Sequence, residues 1–205
     1  MDSVHCHWHS RTIGPDRVMS KFQRFSKSDW IEVGGLLLKN EGPDALVVDR
    51  LCEKAGRTKG SFYHHFKDHS TYLQALIDEW ERRNTLDVIE KAARQSGASQ
   101  QLEALNELTL ALDLKLEIAI RQLAGRSQLV GELVQAVDQK RLRFLEDLYI
   151  SLNRPFAIPP RRIAELEYSA FLGSILLWPT MNSAERSELS AAFTHLLIKA
   201  SNSEN

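Results

Sequence analysis

From Ser26 to about Ala200 the apolar residues of this 205-residue chain recur at spacings of three and four, with no sustained alternation. A period near 3.6 puts one stripe of side chains on a helix face, whereas a half-buried strand needs a period of two. The chain therefore reads as all-α, and its ten glycines and long Leu/Ala/Glu/Arg stretches disfavour a Rossmann sheet. Ser26 or Ser28 caps the first helix, with Asp29 in the first turn where the helix dipole favours an anion. Trp30, Val33, Leu37 and Leu38 form its inner face, and Asn40–Pro43 stops it. Asp44 caps a short helix over 45–55, ended by Gly56, and Thr58 caps a third that runs to about Phe66. Longer helices are predicted over 70–95, 100–123, 132–152, 161–178 and 184–200. The breaks between them are Ser96–Ser99, the region of Gly125 and Gly131, the three-proline stretch 153–160, and Pro179.

Composition narrows the class. With 43% hydrophobic and 26% charged residues the chain suits a soluble globular protein. Its longest apolar runs, such as Ile175–Trp178, fall far short of the roughly 20 residues that span a bilayer. No signal-peptide pattern opens it, and Cys6 with Cys52 cannot make a disulfide framework, so a cytoplasmic location without membrane contact is expected. No P-loop, GxGxxG, HExxH or paired CxxC is present, so no cofactor is expected. Residues 1–25 lack a period and read as a disordered or irregular tail. Its His5, Cys6, His7 and His9 are zinc-ligand types on alternate residues, and Met19 offers a second start. Residues 1–67 hold 11 Lys+Arg against 8 Asp+Glu, and residues 68–205 hold 15 against 19, a basic end on an acidic body.

The segment that carries chemistry is Asp44–Phe66, DALVVDRLCEKAGRTKGSFYHHF. Two short helices around a tight glycine turn are the pattern of a helix-turn-helix, whose second helix must be anchored on one side and exposed on the other. Phe62 and Phe66 supply the anchor, and Thr58, Lys59, Ser61, Tyr63, His64 and His65 surround the exposed side. Lys59 and the helix N-terminus suit phosphate, Gly60 removes a side chain where a duplex would approach, and Arg57 and Lys67 add flanking cations. Ser61 and His64 at i, i+3 could also be a nucleophile and its base, although the sequence shows no third group to orient the imidazole.

At these residues the chain resembles the TetR family of transcriptional regulators. The resemblance covers about residues 28–80. It rests on Gly42, on Ala55-Gly56, on the run Lys59-Gly60-Ser61-Phe62-Tyr63-His64-His65-Phe66, and on Leu73 and Ala75. Residues 117–124 and 137–148 also look like a body subgroup of that family. The resemblance implies a DNA-binding headpiece over 26–70 and an effector-binding, dimerising body over 71–203. Lys59, Tyr63 and His64 then match positions that touch phosphates or base edges. It departs at Val47, usually Ser or Thr, at Arg57, usually a small apolar residue, and at His69, often lysine.

The implied function is a ligand-responsive regulator of a double-stranded DNA operator, most often a repressor released by a small molecule. It implies a homodimer through helices 161–178 and 184–200, and large central residues of the body are pocket candidates: Leu112, Leu116, Phe144, Tyr168, Phe171 and Trp178. Two other classes stay open. One is a helical ligand-binding or interaction module with a degenerate headpiece, which Val47 and His69 favour. The other is a small-molecule enzyme, for which Glu117, Arg121, Asp138 and Arg141 are the nominees, although their spacing also suits helix pairing.

Overall fold

The computed structural model describes residues 25–202, with side chains from 25 to 196. The tail up to Arg24, its His5, Cys6, His7 and His9, and the Met19 start lie outside the described residues. Every regular element among the described residues is helical. These are α1 (Lys27–Glu41), a 3₁₀ turn (Pro43–Ala45), α2 (Val48–Ala55), α3 (Lys59–His65), α4 (His69–Glu81) and a π segment (Arg82–Leu86). They continue with α5 (Asp87–Ala93), α6 (Ala98–Leu110), α7 (Leu114–Ala124), α8 (Gln128–Ser151), α9 (Pro160–Leu177) and α10 (Ser183–Asn202). The fold is all-α, with an N-terminal three-helix headpiece and further helices after it. Two compact units emerge, residues 25–80 with 113–134, and residues 81–112 with 135–202.

In the first unit α1 starts at a capping box. The Ser26 hydroxyl accepts the Asp29 amide at 3.2 Å, and the Asp29 carboxylate accepts the Ser26 amide at 2.7 Å. Trp30, Val33, Leu37 and Leu38 are buried as the periodicity predicts. α7 packs on α1 and buries Leu116, Ala119, Ile120 and Leu123. Asp113 holds this junction twice, capping α7 through the Lys115 amide at 3.2 Å and pairing with Lys39 at 2.9 Å. Tyr72 of α4 lies over Gly34 of α1, so close that a Cβ on Gly34 would stand 1.6 Å from the phenol oxygen. Its hydroxyl donates to the Trp30 carbonyl at 3.3 Å.

In the second unit Leu145, Tyr149, Ile163, Ala164 and Tyr168 form a buried cluster, with Leu102, Leu105 and Phe171 packed against it. One guanidinium ties three elements together. Arg141 of α8 donates to Thr85 Oγ1 of the π segment at 2.9 Å and to Tyr168 Oη of α9 at 3.1 Å. Tyr168 in turn donates to Asp138 at 2.6 Å.

The structure departs from the sequence reading in three places. Asp44 caps no helix over 45–55: a 3₁₀ turn fills 43–45, and α2 starts at Val48 with Val47 at its N-cap and no side-chain cap bond. The helix expected over 100–123 is two, α6 and α7, because Asp113 starts a new one where the leucine spacing runs on unbroken. The stretch 70–95 widens into π geometry at Arg82–Leu86, where Asn84 and Thr85 are buried.

Candidate nucleic-acid interface

α2, its turn and α3 are built by local rules. Gly56 takes the left-handed conformation (φ 61°, ψ 39°) that closes α2, its amide reaching back to Cys52 and Glu53, and other residues adopt that geometry at a cost. Thr58 is extended and its hydroxyl accepts the Ser61 amide at 3.2 Å, which opens α3. Phe62 (0% exposed) and Phe66 (1%) then turn inward. The Phe62 ring meets Trp30 and Tyr72 at 5.3 Å and Phe66 at 5.2 Å, an aromatic knot that fixes the rotation of α3 about its axis.

That rotation decides what faces out. Thr58, Lys59, Gly60, Tyr63 (51% exposed), His64 and Lys67 are exposed, and Ser61 is half-buried between them. A Cβ at Gly60 would meet only Thr58 Oγ1, at 3.7 Å, so nothing among the described residues demands a glycine there. Lys59 pairs with Asp49 of α2 at 2.5 Å. The hydrogen bond and charge of that carboxylate hold the Lys59 ammonium above its ordinary pKa.

Two expected contacts are turned toward the protein itself. Arg57 is half-buried with its guanidinium carbon 5.2 Å from the Phe25 ring centroid. The ring Nε2–H of His65 donates to the Phe25 carbonyl at 2.8 Å. Both residues clamp the chain just ahead of α1, where Phe25 also packs edge-on to Trp30 at 5.0 Å. His69 likewise donates to the Leu46 carbonyl at 2.6 Å and stacks on Tyr72. A carbonyl only accepts, so each of these ring nitrogens carries its proton. Asp68 caps α4 by accepting the Thr71 amide at 2.7 Å, and that bond holds its carboxyl below the usual range.

The six pocket candidates are shared between the two units. Leu116 belongs to the core of the first unit. In the second, Tyr168 and Phe171 stack at 6.3 Å, while Leu112 and Phe144 are half-buried. Trp178, half-exposed at the end of α9, lines a separate open cleft of about 510 Å³ with Met181, Glu185 and Leu189. The four enzyme nominees also divide: Glu117 pairs with Arg121 at 2.7 Å in the first unit, and Asp138 and Arg141 meet at Tyr168 in the second. Among the described residues no group of three or more His, Cys, Asp or Glu is placed to hold a metal, and no helix is long and apolar enough to cross a membrane.

Solved structures place this arrangement. A chain assigned as a transcriptional regulator from Pseudomonas aeruginosa PAO1 superimposes with a TM-score of 0.71 at 18% identity, over 90% of this chain and 96% of the other. A chain assigned to the TetR/AcrR family of regulators gives 0.72 at 16% identity, over 84% and 97%. The chain has the TetR/AcrR fold. AibR, solved with isovaleryl coenzyme A and operator DNA, gives 0.66 at 17% identity, over 83% and 97%. No family model and no curated protein matches the sequence.

Proposed function

We propose that the chain is a ligand-responsive DNA-binding transcriptional regulator, a repressor that leaves its double-stranded operator when a small molecule binds the helices beyond the headpiece. The observation that carries this reading is the sidedness of α3. Phe62 and Phe66 lock one flank, and the other offers Thr58, Lys59, Gly60, Tyr63 and His64, with Lys67 just beyond. A short helix so held suits the major groove, with Tyr63 and His64 at base edges or phosphates and Lys59 and Lys67 on the backbone. Arg57 and His65 take part by bracing α3 through Phe25.

The protein acts as a homodimer through α9 and α10. These helices, with Trp178 just past α9, expose Leu166, Leu176, Leu177, Leu189 and Leu196, of which Leu177 (69%) and Leu196 (67%) are the most open. A dimer that sets two copies of α3 about 34–36 Å apart reads successive major grooves on one face of the duplex. An effector releases DNA only by binding one arrangement of the dimer more tightly than the other. Two of the three departures from the resemblance, Val47 without a capping bond and His69 turned to Leu46, favour the second reading, a helical module whose headpiece no longer binds DNA.

Fluorescence anisotropy with duplexes selected from random DNA separates the two. Specific binding that weakens steeply with salt is expected of the regulator. Tyr63→Ala abolishes specific binding while sedimentation still shows the wild-type oligomer. A variant that binds the selected duplex normally refutes the site assignment, and a wild-type protein that selects nothing favours the second reading.

A further inference from the structure

We propose that Asp49 belongs to the interface as an internal anion that competes with DNA phosphate for Lys59. The inference rests on the DNA-binding reading above. Asp49 stands in the first turn of α2 and Lys59 is the first residue of α3, so the pair bridges the two helices of the motif on its exposed side. The carboxylate oxygen lies 2.5 Å from the ammonium nitrogen, and the side chains are 72% and 60% exposed. A duplex approaching α3 meets this ion pair rather than an unpaired cation.

The surroundings give the pair weight. Residues 26–67 carry seven Lys and Arg (27, 39, 50, 54, 57, 59 and 67) against six Asp and Glu (29, 32, 41, 44, 49 and 53), so the headpiece has almost no charge surplus. Arg50, beside Asp49, is already bound to Glu41 at 2.6 Å and to Glu53, and Arg57 lies over Phe25. Most non-specific affinity for DNA comes from cations that neutralise phosphates and release counterions. When Lys59 moves to a phosphate, Asp49 is left beside a polyanion and recruits a cation from solution, which cancels much of that release. Asp49 therefore lowers affinity for any duplex and leaves sequence reading to the side chains that reach the bases.

Asp49→Asn keeps the size and a hydrogen-bonding oxygen while removing the charge. It is expected to tighten binding of both selected and unrelated duplexes by about two- to fivefold per headpiece. The slope of log affinity against log salt should steepen by about one per headpiece. The gain should shrink in a Lys59→Met background, because the carboxylate acts through that ammonium. A second measurement needs no DNA: amine acylation followed by mass spectrometry should show Lys59 modified faster in Asp49→Asn than in wild type, with Lys67 unchanged. Unchanged affinity and slope overturn the proposal, as does an equal gain with and without Lys59. Weaker binding confined to the selected duplex also overturns it, since Asp49 would then be reading a cytosine amino group. If neither protein binds any duplex, the DNA-binding reading fails, and the acylation rates still report whether the ion pair exists.

Discussion

Gly34→Ala tests the packing that holds α3. In an ordinary helix interior the change stabilises by about 1 kcal/mol, because alanine loses less backbone freedom. Here the new Cβ would stand 1.6 Å from the Tyr72 hydroxyl oxygen and 2.9 Å from its Cζ. Restoring a contact of roughly 3.5 Å requires the oxygen to retreat by roughly 2 Å. The ring has nowhere to go, with Phe66 at 5.0 Å, Phe62 at 5.3 Å and His69 at 6.0 Å. Overpacking of this kind costs about 1–3 kcal/mol. The displaced hydroxyl also gives up its bond to Trp30, about 1 kcal/mol more. The two costs outweigh the propensity gain and leave a net loss of about 1–3 kcal/mol. Urea denaturation followed by tryptophan fluorescence reads it, since Trp30 and Trp80 are buried in this unit. Tyr72→Phe removes the oxygen, so the penalty should fall by about 1 kcal/mol or more in that background, the sign of direct coupling. On the proposed DNA-binding reading, affinity for the selected duplex should fall with stability, because Tyr72 touches the Phe62 anchor. A neutral or stabilising Gly34→Ala, or an equal penalty in both backgrounds, refutes the reasoning.

Two further outcomes are expected. Thr58→Ala removes the side-chain acceptor for the Ser61 amide, leaving only the Thr58 carbonyl, and costs about 1 kcal/mol, visible as faster hydrogen exchange at Ser61 and, on the DNA-binding reading, weaker binding of the selected duplex. Burial raises the Glu167 carboxyl above its usual range, although the hydroxyl donated by Tyr149 at 2.7 Å opposes the shift. The folded state therefore holds that proton more tightly than the unfolded chain. Its contribution is full below the unfolded carboxyl pKa, about 4.3, and is lost as pH rises through the raised folded value. Glu167→Gln should flatten that part of the pH–stability curve, and an unchanged curve counts against the assignment.

Thr58, Gly56, Phe62 and Phe66 were legible because capping, a left-handed turn and a one-turn aromatic spacing are rules about neighbours in the chain. Arg57 just ahead of α3 and His65 at its end fall in the pattern on the exposed side, but Phe25, some 32 and 40 residues earlier, turns both inward. Asp49 carried no signal at all, since its partner lies ten residues on and across a turn. Asp138 and Arg141 looked like an i, i+3 pair, yet Tyr168 and Thr85 draw them into one network.

The sequence by itself determined that the chain is helical, where most of its helices stop, and that 44–66 forms a sided motif. Those properties follow from periodicity, caps and glycine, which act over a few residues. Only the tertiary structure decided which cations of the headpiece are already occupied, that α7 packs on α1, and that Gly34 lies beneath a phenol. Each of these depends on which distant side chain arrives within a few ångströms, and a one-dimensional pattern carries no distances between remote residues.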